Sequence, residues 1–107
     1  MVTTFAGDGT MGVLDGVGTS AQIHRPRGMT SDGTSIYFVE FNTHVVRQGV
    51  IATQEVSTML GVPNMMGYFE GTGAAARFTS PFAMAFHWPS NSLFVLDGGN
   101  NVIRRIR

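Results

Sequence analysis

Residues 93–104 read Leu-Phe-Val-Leu-Asp-Gly-Gly-Asn-Asn-Val-Ile-Arg, which is an apolar run, a turn rich in Gly and Asn, and a second short apolar run. The turn is a strong hairpin signal, because glycine and asparagine adopt the backbone conformations that tight turns require. The run at 93–96 shows no polar–apolar alternation, which is typical of a strand buried on both faces. The same arrangement occurs earlier, where residues 36–40 (Ile-Tyr-Phe-Val-Glu) precede a turn and residues 45–47 (Val-Val-Arg).

The rest of the chain also repeats itself. Residues 2–7 (Val-Thr-Thr-Phe-Ala-Gly) return at 56–61 as Val-Ser-Thr-Met-Leu-Gly, and residues 12–21 return at 67–76. The equivalent segments keep the same order along the whole chain, which chance matches would not do. The sequence therefore predicts an internal duplication.

The duplication predicts a single domain, residues 1–107, made of two repeats at about 2–55 and about 56–107. No helical periodicity is present, so each repeat is predicted to contain four short strands joined by turns and by one long connection. In the first repeat these predicted strands lie at 2–6, 28–30, 36–40 and 45–47.

The composition excludes several classes of protein. Seven arginines balance seven Asp and Glu residues, and the 107 residues include no lysine and no cysteine. The balanced charge argues against a general polyanion binder, which needs a basic surface. The lack of cysteine excludes a disulfide framework and a thiolate metal site. No apolar stretch approaches the roughly 20 residues of a membrane-spanning helix.

Two stretches of the second repeat carry a resemblance to a known family. Residues 71–81 read Gly-Thr-Gly-Ala-Ala-Ala-Arg-Phe-Thr-Ser-Pro, and residues 96–104 read Leu-Asp-Gly-Gly-Asn-Asn-Val-Ile-Arg. Together with the start at 2–7, this pattern resembles NHL repeats, and the resemblance covers essentially the whole chain. It implies that each repeat is a blade of a β-propeller, most often one with six blades. The second repeat departs from the pattern at His87, where a turn aspartate is usual.

The predicted fold is all-β, with two four-stranded NHL-type propeller blades. Two blades packed together cover only two of their four apolar faces, and propellers avoid such exposure by closing a ring. We predict that three copies close head to tail into a six-bladed homotrimer, in which residues 2–6 of one copy complete the last blade of the next. Rings of two or four copies, or a fragment of a longer propeller, are the alternatives. The predicted seam consists of Val2, Thr3, Thr4, Phe5, Ala6, Val102, Ile103 and Ile106.

Propellers usually bind ligands on the face that carries their long connections and the turn after the third strand of each repeat. The candidate ligand-binding residues there are His24, Arg25, Glu40, Asn42, His44, Arg77, Asp97, Asn100 and Asn101. Each also has a structural interpretation, because turn carboxylates and asparagines commonly bond their own backbone. Threefold symmetry could bring three copies of His24 or His44 together as metal ligands, although a lone histidine more often has a structural role. No catalytic residue, resident metal or cofactor is predicted.

These features favour a non-enzymatic propeller module that assembles with itself and binds or scaffolds an unknown small molecule or protein. The sequence contains no nucleophile elbow, phosphate loop or His-Glu-x-x-His motif. A second hypothesis is a metal-assisted lyase or hydrolase, because some six-bladed NHL-like proteins are such enzymes. A third is an RNA-binding propeller, as some NHL propellers are, although the balanced charge argues against nucleic acid. No membrane partner is predicted.

Overall fold

The computed structural model describes residues 1–107 and consists of eight strands and three short 3-10 turns. The strands are β1 (Gly16–Val17), β2 (Pro26–Ser31), β3 (Ser35–Glu40), β4 (Val45–Val50), β5 (Glu55–Leu60), β6 (Pro81–His87), β7 (Ser92–Asp97) and β8 (Val102–Ile106). The 3-10 turns lie at Gly18–Ser20, Gly73–Ala75 and Gly98–Asn100. The prediction of an all-β chain is confirmed. None of the helical turns has the length and hydropathy of a membrane span.

The strands form two antiparallel sheets. The first sheet has the order β1-β5-β4-β3-β2, and the second has the order β6-β7-β8. Each contains one of the apolar hairpins predicted from the sequence. The β3–β4 hairpin pairs Glu40 with Val45, and the β7–β8 hairpin pairs Asp97 with Val102.

The outer strands differ from the prediction. Residues 2–6, predicted as a strand, form none, because a strand needs a neighbour for its backbone hydrogen bonds and no strand of this chain lies beside them. A single chain therefore has four long strands in the first sheet and three in the second. The connection predicted for the first repeat also contributes β1, which forms because Gly16 pairs with Val56 of β5.

The two sheets pack against each other through β2 and β6. A Cβ atom on Gly28 would lie 2.6 Å from the Cα atom of Ala83, so this approach of the two backbones requires glycine. Thr30 Oγ1 accepts a hydrogen bond from the backbone N–H of Phe86 at 3.1 Å. The backbones of β2 and β6 are thus in close contact at Gly28, and a hydrogen bond joins the two strands at Thr30.

The main core lies where the sheets meet. Its buried members are Val39, Val46, Leu60, Ala76, Phe78 and Val95. A smaller cluster of Ala21, Phe38 and Val56 includes partly buried Ala6 and Ile23. Because successive residues of a strand point to opposite faces, Phe38 serves the face of the first sheet that Val39 does not.

Candidate functional site

The two turns predicted to carry ligand-binding residues are built on buried ion pairs. In the first sheet, Arg47 Nη1 donates to Glu40 Oε2 at 2.5 Å, and both side chains are fully buried. In the second sheet, Arg104 Nη1 donates to Asp97 Oδ2 at 2.8 Å, and the Asp97 side chain is fully buried. The pairs occupy equivalent positions in the two repeats. A buried carboxylate needs such a partner, because an unpaired charge away from water is costly.

Arg47 also fixes the long connection of the first repeat. Its guanidinium donates to the carbonyl oxygens of Gln22 at 3.1 Å and Leu14 at 3.2 Å. These two residues bridge to one another, so the arginine closes the base of the loop between them. Asp15 Oδ1 lies 3.4 Å from the same guanidinium and accepts the N–H of Thr58 at 2.9 Å, which ties the loop to β5.

Arg104 repeats this arrangement in the second repeat. It donates to the carbonyl oxygens of Arg77 at 2.9 Å and Phe69 at 2.7 Å, which also bridge to one another. Glu70 holds the position of Asp15, and its Oε2 lies 3.7 Å from the Arg104 guanidinium. No fourth strand lies beside Glu70, and its side chain is 87% exposed.

The buried carboxylates are engaged by further hydrogen bonds. Glu40 Oε1 accepts from the hydroxyl of Thr43 at 2.7 Å. Asp97 Oδ1 accepts the N–H of Thr79 at 2.8 Å, and Asp97 Oδ2 accepts from Asn100 Nδ2 at 2.8 Å. Both carboxylates and the Asn100 amide therefore hold the turns together rather than face an incoming ligand.

His44 links the two sheets at this end of the molecule. Its backbone has a φ of 64°, and its Nδ1 accepts the N–H of Ser80 at 2.9 Å. Burial lowers the pKa of His44, and the negative charge of Asp97 offsets part of that lowering. Because Nδ1 accepts a hydrogen bond, the imidazole is neutral in this contact.

The remaining predicted residues do not come together. His24 has a buried Nδ1 without a hydrogen-bond partner. Arg77 donates to carbonyl oxygens of its own loop, those of Ala74 and Ala76. No three His, Asp or Glu side chains cluster as a metal ion would require. The exposed candidates are Arg25, Asn42 and Asn101.

An aromatic cavity lies away from the predicted face, beside the turn that joins β6 to β7. Its volume is about 320 Å³, and its lining includes Asp32, Tyr37, Phe86, Trp88 and Asn91. Trp88 is 69% exposed, and its ring meets that of Phe86 edge-on at a centroid distance of 5.7 Å. None of these residues is among the ligand-binding candidates predicted from the sequence. The single tryptophan of the chain is the signal that could have indicated this cavity.

A second cavity, of about 360 Å³, runs along the outer edge of β8, and we call it the open edge. Its lining includes Gly71, Thr72, Arg105, Ile106 and Arg107. In the first sheet the corresponding space, between β4 and β1, is filled by β5. The open edge therefore has, in the second sheet, the position that β5 occupies in the first.

Comparison with known proteins identifies structural neighbours but no family. No family model and no curated protein matches the chain. Three similar solved structures come from Bacteroides. An auxiliary nutrient binding protein from Bacteroides thetaiotaomicron is 25% identical with a TM-score of 0.83, and the match covers 96% of this chain and 28% of that one. A protein of the same description from Bacteroides ovatus is 23% identical with a TM-score of 0.79, over 92% of this chain and 26% of that one.

The third neighbour carries a different description. It is a candidate phosphatase from Bacteroides thetaiotaomicron, 22% identical with a TM-score of 0.82, and the match covers 96% of this chain and 26% of that one. This chain thus spans only about a quarter of the length of the structures it matches. The neighbours share its fold, while the resemblance to NHL repeats stays a prediction.

Proposed function

We propose that this chain is a non-enzymatic propeller module with NHL-like repeats, three copies of which close a six-bladed ring that binds a ligand. The observation that carries the proposal is the apolar face that each sheet leaves uncovered. Only 22 of the 107 residues are buried, although the central strands are apolar on both faces. A chain with so small a core gains most from further contacts between sheets.

The uncovered face of the second sheet presents large apolar side chains. Leu96 and Ile103 are cross-strand partners, and strand alternation directs them away from Val95 in the main core. Ile103 is 68% exposed, and Phe82 on β6 is 45% exposed. An exposed apolar patch of this kind marks an interaction surface.

The first sheet offers a matching face. A cavity of about 280 Å³ opens beside Met29, Ile36 and Phe38. Stacking the second sheet of one copy on this face repeats the contact that β6 already makes with β2 within the chain. A repeated head-to-tail contact closes as a ring where its rotation divides a full turn, and three copies would give the six blades that the NHL resemblance implies.

A binding role is better supported than catalysis. The neighbour with 25% identity is named an auxiliary nutrient binding protein. Glu40 and Asp97, the buried carboxylates, are engaged in structural hydrogen bonds. Arg104 is paired with Asp97, so it does not join the C-terminal arginines in a basic patch for RNA. We expect a small ligand at the cavity of Trp88, because an exposed tryptophan beside polar groups suits a flat hydroxylated molecule such as a sugar.

Light scattering on a sizing column tests the proposal. The unaltered chain should have the mass of three chains, and Ile103→Glu should have the mass of one, because a charge on the uncovered face opposes stacking. Met65→Glu is the matched control, since Met65 is exposed in the connection between the sheets and should leave the trimer intact. A monodisperse single chain for the unaltered protein, or a trimer for Ile103→Glu, would contradict the proposal.

A further inference from the structure

β5 makes contacts in both repeats. It pairs with β4 in the first sheet, while Leu60 at its end packs in the core with Phe78 from the second repeat. Gly61 then donates its N–H to the carbonyl oxygen of Gly73 at 3.1 Å. β5 thus completes one sheet and leads into the connection of the next.

Residues 2–7 make the contacts equivalent to those at the end of β5, but they do not pair with a neighbouring strand. Ala6 packs beside Ile23 in the smaller cluster, as the end of β5 packs in the main core. Gly7 donates its N–H to the carbonyl oxygen of Gly18 at 3.1 Å, the distance found at the equivalent pair in the second repeat. Residues 2–4 are exposed and belong to no strand. The segment therefore lacks the sheet that it would complete.

The second sheet has the complementary deficiency. The outer edge of β8 has no strand beside it, and the open edge lies between β8 and the loop at Gly71 and Thr72. In the first sheet, Gly16 of the equivalent loop pairs with Val56 of β5. The open edge is thus bounded on both sides in the way that a strand requires.

We propose that residues 2–6 of a second copy of this chain bind in the open edge as the fourth strand of the second sheet, antiparallel to β8. This inference rests on the proposed ring and specifies its seam. Adding a strand to an exposed sheet edge supplies main-chain hydrogen bonds, while alternate side chains supply specificity. The occupant is a copy of the same chain because residues 2–6 repeat the sequence of β5, which fills the equivalent position within the chain.

The internal repeat fixes the register of this seam. In the first sheet, β5 and β4 pair Val56 with Gly49 and Ser57 with Gln48. The pairs transferred through the repeat join residues of one copy to β8 of the next. They are Val2 with Ile106, Thr3 with Arg105, Thr4 with Arg104, and Ala6 with Ile103.

Glu70 receives a partner in this register. In the first sheet, the carboxylate of Asp15 accepts both the N–H of Thr58 at 2.9 Å and its hydroxyl at 3.1 Å. At the seam, Thr4 of the second copy takes the place of Thr58, and Glu70 takes the place of Asp15. The exposed carboxylate beside Arg104 therefore becomes part of a closed network.

The turns meet across the seam in the same way. Within the chain, His44 accepts the N–H of Ser80, and both residues have left-handed backbones, with φ of 64° and 52°. Their equivalents, Asn101 and Arg25, also have left-handed backbones, with φ of 58° and 44°. The side-chain oxygen of Asn101 accepts the N–H of Arg25 in the second copy. This contact aligns the uncovered faces while the strand closes the edge.

Paired cysteines test the register, because the chain contains no cysteine of its own. Thr3 and Arg105 are exposed, so the double variant Thr3→Cys/Arg105→Cys should keep the fold. Opposed residues on paired strands lie within disulfide range, and mild oxidation should shift most of this variant from one chain to linked chains. The matched control is Val2→Cys/Arg105→Cys. Adjacent residues of a strand point to opposite faces, so the control should remain unlinked.

Removal of residues 2–4 gives an independent readout. These residues make no strand contact in their own chain, so the truncated protein should keep the far-UV circular dichroism of its sheets and lose the trimer mass. Equal linking of both cysteine pairs, or a trimer that forms without residues 2–4, would overturn the seam while leaving the ring in place. A single-chain mass for the unaltered protein, with neither pair linked, would overturn both the seam and the ring.

Discussion

The two sheets share one internal design but differ at their outer edges. In both, a buried arginine on one strand pairs with a carboxylate on the neighbouring strand and holds a long connection through two carbonyl oxygens. The first sheet also has β5 outside this assembly, whereas the second sheet ends at β8. The arginine network thus forms with or without the outer strand. The inner three strands and the connection are one unit, to which the fourth strand is added from the following repeat.

The largest expected effect comes from breaking the arginine network in the first sheet. Arg47→Met leaves Glu40 fully buried without its charge partner and should lower the free energy of unfolding by about 3–5 kcal/mol. Arg104→Met should cost less, about 1–3 kcal/mol, because Asp97 keeps two other donors, the N–H of Thr79 and the amide of Asn100, whereas Glu40 keeps only the hydroxyl of Thr43. Urea unfolding at a fixed protein concentration measures both. Equal losses would mean that the additional donor to Asp97 does not compensate for the loss of the arginine.

A smaller effect is expected where the sheets meet at His44. The folded pKa of His44 lies below its ordinary value of 6.5, so folding favours the neutral ring. Its stabilisation is present above about pH 6.5 and is lost as the pH falls below that value, because the unfolded chain then binds the proton more readily. His44→Asn keeps a side-chain acceptor and a residue that tolerates the left-handed backbone. Between about pH 7 and pH 5, the midpoint temperature of thermal unfolding should fall less for this variant than for the unaltered chain. An equal fall of the two midpoints would contradict this role.

The β2–β3 turn and the equivalent β6–β7 turn should differ by about 1 kcal/mol in their contributions to the free energy of unfolding. Asp32 accepts the backbone N–H groups of Ser35 and Thr34, and these bonds, the Ser35 bond first, lower its pKa to about 2. Its contribution is present above about pH 4 and is lost as the pH falls towards 2. The equivalent His87 bonds only the hydroxyl of Ser90, at 2.7 Å. Asp32→Ala should therefore destabilise the chain more than His87→Ala, as calorimetry at neutral pH can measure, and an equal effect would refute the difference.

The smallest effect on stability is expected at Trp88. Trp88→Ala should change the free energy of unfolding by less than about 0.5 kcal/mol, because the side chain is largely exposed. If a sugar binds in its cavity, titration calorimetry should detect binding to the unaltered chain and none to Trp88→Ala. Tyr68→Ala is the matched control, as Tyr68 is an exposed aromatic residue that does not line this cavity and should leave binding unchanged. Retained binding by Trp88→Ala would show that the sugar does not bind at the β6–β7 turn.

The sequence predicted the hairpins better than the site. The runs without polar–apolar alternation, which form β3 and β7, can be recognised because a strand that is buried on both faces is apolar throughout. The turn after β7 also carries the glycine and asparagine residues that hairpins require. The role of Glu40 could not be read in this way. Its carboxylate is fixed by Arg47 on the neighbouring strand and by Thr43, and such partners are known only once the register is known.

The strand predicted at residues 2–6 differs from the structure for a different reason. Its sequence matches β5, but a strand also requires a partner edge, and none within the chain is available to it. The short β1 was missed because Gly16 and Val17 have no strand pattern of their own and form a strand only through pairing with β5. Local sequence thus specifies which segments are able to pair, while the partner decides which of them do.

The central claim is that the two-sheet unit closes on copies of itself, and electron microscopy of the purified chain tests it most directly. We predict face-on class averages with six blades around one axis, each pair contributed by one chain. Particles the size of a single chain, or open filaments without a closed ring, would contradict the account.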